Sequence, residues 1–257
     1  MYWERMTRDE LNAADKGVPL VVSIAAVEQH GPHLATGTDA FIGNHFLAAL
    51  EAARPAGVIV LPQVAVGCSE HHMDLGGTLT VSHATFTAYV MDVVGSALRH
   101  GFRNVLILNS HGGNQAVGGT IAQMLAQDHP DCRIVFTTWW QLAGARLREL
   151  VEGGRGAVGH ACEFETSLLM AAEPDAVRDA LIPARGDAPT FPWAEGDMLN
   201  GAAALWVRPM SALTGGTGVR GAPALANAPK GTAITTAVVT RLVEIVDDLQ
   251  KDVPESE

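Results

Sequence analysis

The chain has 257 residues and a mass of 27.0 kDa, 47% of the residues are hydrophobic and 18% charged, and the formal net charge is −11. That length buries a sizeable core, while the acidic balance, with no basic cluster to offset it, argues against a nucleic-acid partner. No apolar run reaches the roughly 20 residues of a membrane span, the start Met1-Tyr2-Trp3-Glu4-Arg5-Met6 lacks signal-peptide order, and three cysteines without paired spacing suit a reducing cytoplasm.

In chain order, the apolar run 18–27 predicts a buried strand, and 40–54 a helix with Phe41, Phe46, Leu47 and Leu50 at helical spacing. A second short strand is expected at 57–62. Ser82 stands where it caps a long helix to about His100, with Gly101 as the stop. Strands at 105–108 and 133–138 and helices at 114–128 and 142–151 follow. A glycine-rich loop at 153–159 leads to a helix over 165–172. From 182 to 227 the pattern breaks up, and the exposed-looking Phe191, Trp193, Leu205 and Trp206 are expected to be covered by another subunit, the alternative being that the segment folds back over its own sheet. A helix over 232–249 closes the chain, and 251–257 is expected to fray. The strand–helix alternation implies a largely parallel sheet with helices on both faces, in a single domain over 1–257.

The residues with chemistry gather where strands end. Glu28-Gln29-His30-Gly31-Pro32-His33 follows the first strand, and Asp39 comes after a loop stiffened by Pro32. Two apart on an extended chain, Glu28 and His30 project to one side. His111 follows the strand at 105–108, and His160, Glu163 and Glu165 lie after the glycine-rich loop. In open α/β sheets this edge is where ligands bind. Carboxylate with imidazole suits zinc, manganese or iron and not calcium. The alternative for any one segment is a polar loop with chance histidines; three segments together favour a metal site. Neither a dinucleotide or phosphate-loop signature nor a Gly-x-Ser-x-Gly turn is present. Cys162 reads as a small buried filler beside the site, in preference to a ligand or nucleophile.

These motifs, with Ser69-Glu70-His71-His72-Met73-Asp74-Leu75-Gly76-Gly77-Thr78, Asn109-Ser110-His111-Gly112-Gly113-Asn114 and Gly218-Val219-Arg220-Gly221-Ala222-Pro223, together resemble the creatininase (creatinine amidohydrolase) family over roughly residues 15–245. The resemblance implies a three-layer α/β/α sandwich, two divalent transition-metal ions per chain and a homo-oligomer, in many members a hexamer. It implies Glu28, His30, Asp39 and His111 as metal ligands, with Asp39 between the two ions. Where creatininase itself has Tyr-Glu after the ligating His, this chain has Gly112 and Gly113, so the last ligand is expected from Glu165, with Glu163 as the rival. His160 is implied as the catalytic group over the metals, and Ser69, Gly112 and Gly113 as substrate or oxyanion donors. His71 and His72 are left open between site and structural roles, as are Trp139 and Trp140 between an aromatic wall and packing. The implied reaction is hydrolysis of a C–N bond in a small cyclic amide or formamide by a metal-activated water, with His160 protonating the leaving nitrogen. The alternatives are a lactone or cyclic ketone as substrate, or a non-catalytic metal-binding oligomer. A Trp-Asp pair that creatininase carries shortly before this His is replaced by Gly156 and Ala157, so creatinine is not the expected substrate.

Overall fold

The computed structural model describes residues 1–251; of the end predicted to fray, 252–257 lie outside the described residues. Four parallel strands run in the order β2-β1-β3-β4, namely β1 (Leu20–Ile24), β2 (Ile59–Val60), β3 (Asn104–Asn109) and β4 (Arg133–Thr138). The helices are α1 (Arg8–Ala13), α2 (Thr38–Ala53), α3 (His83–Arg99), α4 (Gln115–Asp128), α5 (Trp139–Leu142), α6 (Gly144–Leu150), α7 (Glu163–Ala172), α8 (Met210–Thr214) and α9 (Ala228–Asp248).

β1 and β3 read as nearly unbroken apolar runs because both of their faces are covered. Leu20, Val22, Ile24, Val105 and Ile107 enter one core with Phe86, Val90 and Val94 of α3 and Ile121 and Leu125 of α4. Their alternates Val21, Leu106 and Leu108 enter a second core with Phe46 and Leu50 of α2, Leu168 of α7, and Ile234, Val238 and Leu242 of α9. Helix layers on both sides of one parallel sheet make the three-layer α/β/α sandwich that the alternation of elements predicts. Ser82 caps α3 through its side chain, which accepts from Thr85 N. Trp139 and Trp140 are buried in the second core, where Trp139 packs against Phe46 with ring centroids 5.7 Å apart.

Several boundaries differ from the sequence reading, and each bears on function. β1 stops at Ile24, so Glu28 and His30 lie on a loop beyond the sheet edge and not on a strand. That loop turns at Gly31, whose φ of +62° is in the left-handed region and whose Cβ, if present, would stand 2.4 Å from Val219 Cγ2. α2 starts at Thr38, which places Asp39 in its first turn, where the unpaired helix N–H groups favour a carboxylate. Ser110 Oγ donates to Asp39 O at 2.8 Å and ties that turn to the end of β3. α7 likewise starts early and carries both Glu163 and Glu165 in its first turn. The helix predicted at 142–151 is two pieces, α5 and α6.

The largest omission is an antiparallel ribbon, β5 (Val158–His160) with β6 (Arg220–Gly221), inside stretches read as loop. Its strands are too short, and too rich in glycine, to show alternation. Gly186 extends the ribbon: its N–H donates to Gly221 O at 2.9 Å, and Gly221 N–H returns a bond to Gly186 O at 2.7 Å. Much of the rest of 182–227 is irregular, as the composition predicts.

Candidate metal centre

β1 and β3 end side by side, and the chain leaving them carries Glu28, His30 and His111; the first turns of α2 and α7 bring Asp39 and Glu165, and β5 brings His160. All six side chains are buried. Asp39 lies at the middle, with Oδ2 3.1 Å from His111 Nδ1 and Oδ1 3.5 Å from His30 Nε2. Glu28 Oε1 is 3.2 Å from His111 Nδ1, and Glu165 Oε1 is 3.9 Å from His30 Nε2. Ligand-capable atoms of Glu28, Asp39 and His111 form one close set, and those of His30, His160 and Glu165 another, each within 4.8 Å. A third such set, Glu28 with His72 and His160, overlaps both.

Backbone carbonyls set the tautomers that the two rings have when neutral, because a carbonyl only accepts. His30 Nδ1 faces Glu28 O at 3.1 Å and must carry the proton, which leaves Nε2 bare toward Asp39 and Glu165. His111 Nε2 faces Cys68 O at 3.1 Å and donates to it, which leaves Nδ1 bare toward Glu28 and Asp39. Two rings, each locked by an outer partner and each turning a lone pair toward carboxylates, have the arrangement of metal-binding histidines. Asp39 Oδ2 is near His111 Nδ1 but off hydrogen-bond geometry; it, Glu28 Oε2 and His30 Nε2 are buried without a hydrogen bond among the described residues. Each such group costs about 1–3 kcal/mol to leave unsatisfied. A pair of divalent cations would satisfy all three, so the residues fit the ions.

The electrostatics of the metal-free cluster point the same way. Burial opposes charge on His111, but Glu28 and Asp39 outweigh it and raise its pKa to about 10. Burial likewise opposes charge on His30, and the Asp39 and Glu165 carboxylates outweigh it, holding that ring well above the usual imidazole range. Without metal a second proton therefore sits on each inward nitrogen, His30 Nε2 and His111 Nδ1, in the place of cationic charge, and those nitrogens are bare only once it leaves. Burial, followed by the neighbouring His30 and His72 rings, holds His160 well below its ordinary value, so it rests neutral. Its Nε2 lies 2.8 Å from Gln29 O and donates there, leaving Nδ1 unprotonated at 3.7 Å from Glu28 Oε1.

Other sequence-predicted residues take varied places. Ser69 is fully buried, with Oγ 3.3 Å from His111 Nε2, on the side of the ring away from the carboxylates. Gly113 packs so tightly that a Cβ would stand 2.3 Å from Cys68 O and 2.4 Å from His111 Nε2, whereas nothing lies within 4 Å of the position a Cβ would take on Gly112. Glu163 is spent elsewhere: its carboxylate accepts from Lys230 Nζ at 2.6 Å and from the Glu152 and Gly153 amides. Cys162 is buried, and its thiol is pushed up by burial and by Glu165. His71 stacks near His111 at 5.9 Å, and His72 Nε2 lies 3.3 Å from Glu28 Oε1.

Sequence reading missed Gln29 and Asn114. Gln29 Oε1 accepts from Gly31 N, and this orients Nε2 to donate to His72 Nδ1 at 2.9 Å. His72 then presents an N–H to Glu28. Asn114 joins the ends of two segments, accepting from Cys68 N and donating to Ala25 O. Both stand beside recognised motif residues, which was the signal available.

The Glu163–Lys230 pair gives a separable outcome. Lys230→Met leaves a buried carboxylate unpaired and is expected to cost about 3–5 kcal/mol of stability without lowering metal content in the folded protein. Glu165→Gln is expected to lower metal content. Metal analysis beside denaturant titration checks both, and metal loss in Glu163→Gln at unchanged stability would exchange the two roles.

The family description "Creatininase: Creatinine amidohydrolase" matches residues 4–246. The chain is 26% identical to the 3-dehydro-scyllo-inosose hydrolase of Thermotoga maritima over 179 residues, 68% of this chain and 57% of that protein. It is 27% identical to the creatinine amidohydrolase of Pseudomonas putida over 172 residues, 62% of this chain and 65% of that protein. Both matches thus span less than two thirds of the relative's length. With a mycofactocin precursor peptide peptidase of Mycobacterium ulcerans the identity is 28%, over 89% of this chain and 82% of that protein. Among solved structures, a creatininase superposes with a TM-score of 0.82 at 23% identity, covering 96% of each chain. A mutant creatininase in its Zn-Zn form gives 0.82 at 21% identity, covering 96% of this chain and 97% of that one.

Proposed function

Since the chain belongs to the creatininase family, we propose that it is a metal-dependent hydrolase that cleaves a C–N bond of a small cyclic amide or formamide. The observation that carries this reading is the pair of carbonyl-locked rings, His30 and His111, turning bare nitrogens onto Asp39 from opposite carboxylate sets. Glu28, Asp39 and His111 would hold one divalent ion and His30, Asp39 and Glu165 the other. When bound, such ions supply a water of lowered pKa and polarise a carbonyl oxygen. His160 rests neutral, so it takes the proton of the attacking water on Nδ1 before giving it to the leaving nitrogen. This reverses the order of a residue that starts as an acid. Gln29 O holds His160 Nε2–H throughout and keeps Nδ1 on the reacting side. Ser69 orients His111 from behind, and the open space over Gly112 is where substrate has room.

A second reading keeps the centre and changes the bond, with a lactone or cyclic ketone as substrate; the dehydro-inosose hydrolase among the relatives favours it. Turnover of the metal-loaded protein against formamides, cyclic ureas, hydantoins, lactones and cyclic ketones separates the readings. No turnover of any class, with metal bound, would leave the non-catalytic metal-binding oligomer.

Metal uptake is expected to release protons. His111 and His30 are protonated in the metal-free protein at neutral pH, since both pKa values are raised. Binding therefore displaces roughly one proton from each ring, and apparent affinity rises with pH until His111 titrates near 10. Calorimetry at pH 7.5 in buffers of different ionisation enthalpy reads this directly; heats independent of buffer would contradict it.

We infer assembly into a homo-oligomer from the irregular region. Phe191 and Trp193 stack at 5.4 Å with Trp206 beside them, and these rings are 53%, 45% and 40% exposed in the single chain. Light scattering is expected to give a multiple of 27.0 kDa, and a monomer at all concentrations would refute it.

A further inference from the structure

Against the ribbon that carries His160 is a cavity of about 390 Å³. Gly159 sits between Val158 and His160, and a Cβ on it would meet Arg220 Cγ at 3.2 Å. Arg220 is the ribbon partner of His160, across a register shift between Val158 and His160, and its side chain lines the cavity. None of the side chains of the metal centre lines the cavity, so the two are separate sites.

Arg155, Arg185, Arg208 and Arg220 all line this cavity. Among the described residues only Arg185 has a carboxylate partner, Asp187 Oδ2 at 2.7 Å. Asp197, which also lines it, is committed to the Gly156, Leu199 and Asn200 amides and to Asn200 Nδ2. Arg155 reaches Glu195 O at 3.4 Å, Arg220 reaches the Gly196 carbonyl, and Arg208 reaches Thr190 Oγ1 at 3.2 Å and Pro189 O at 3.5 Å. A guanidinium has five N–H donors, so these neutral acceptors leave most of the donors free. Arg208 Nε is buried with no partner, and the guanidinium stands 4.2 Å over the Trp206 ring. That stacking holds the fork in place.

Asp187, Glu195 and Asp197 also line the cavity, but among the described residues none of them is in ion-pair contact with Arg155, Arg208 or Arg220, and these three guanidiniums share the cavity in a chain whose net charge is −11. Planar forks of this kind match oxyanions bidentately. We propose that the cavity binds a small dianion, a dicarboxylate or a phosphate-like oxyanion, through Arg208 and Arg220, with Arg155 at its exposed rim.

The test is thermal denaturation of the metal-loaded full chain, titrated with sodium sulfate and with sodium succinate against sodium chloride at matched ionic strength. At least one dianion is expected to raise the midpoint saturably where chloride does not, and the two arms tell a tetrahedral oxyanion from a dicarboxylate. Arg208→Gln and Arg220→Gln are each expected to weaken the apparent affinity at least tenfold. If an interior variant fails to fold, Arg155→Gln at the rim is expected to weaken binding by a smaller factor. The proposal is overturned if both dianions behave as chloride does, or if affinity is unchanged in the folded variants. It is equally overturned if metal removal abolishes the response while the arginine variants keep it, since the anion would then sit at the metal centre.

Discussion

Asp39→Ala is expected to lose both metal ions and measurable turnover while keeping its fold. One carboxylate spans the two bare nitrogens, with Oδ2 3.1 Å from His111 Nδ1 and Oδ1 3.5 Å from His30 Nε2. Its removal leaves each ligand set one member short, so the effect should exceed the ~10–100-fold loss that follows removal of an outer hydrogen-bonding partner. The fold should survive because the contact that ties α2 to β3 uses Asp39 O, which alanine retains. Elemental analysis with circular dichroism checks this. Full occupancy of either ion in a folded variant would exclude Asp39 as the shared ligand.

His160→Ala is expected to behave in the opposite way, retaining metal while turnover falls by roughly 10²–10⁴-fold, the usual contribution of a proton-transferring side chain. Nδ1 is the nitrogen left for chemistry, since Nε2 is committed to Gln29 O. The ring also lies 4.2 Å from His30, centroid to centroid, and shares a ligand-capable set with His30 and Glu165. Metal loss in proportion to lost activity would therefore make it a ligand. Rescue by added imidazole, with metal content constant, would support the proton-transfer role.

The sandwich was legible because β1 and β3 are apolar on both faces and a helical spacing follows each of them, while Ser82 marks the start of the helix that precedes β3. The strand-end clustering of Glu28, His30 and His111 was legible for the same reason: a polar motif directly after an apolar run marks the sheet edge. The preference for Glu165 over Glu163 came from the family resemblance alone; its physical reason was not legible, because it depends on Lys230, a residue on the last helix that occupies Glu163. The tautomers were hidden too, being set by the carbonyls of Glu28, Cys68 and Gln29, and backbone atoms carry no sequence signal. The β5–β6 ribbon escaped because its strands are too short to show a period. The arginine cavity escaped with it, since positions 155, 185, 208 and 220 converge only once that ribbon forms.

The dispersal of the metal centre along the chain also constrains the order of assembly. Its side chains come from the ends of two sheet strands, the first turns of two helices and one strand of the ribbon, from Glu28 to Glu165. No short stretch contains a full set, so a cation has nothing complete to grip until the sandwich has closed. The two apolar cores on either side of the sheet contain none of the side chains of the metal centre. On the proposed metal reading, folding is expected to come first and loading second, unlike small zinc domains in which the metal drives the chain to fold. Refolding in a chelator should then reach the same architecture at the same rate, and a slower or incomplete refolding would show that the ions take part in forming the scaffold.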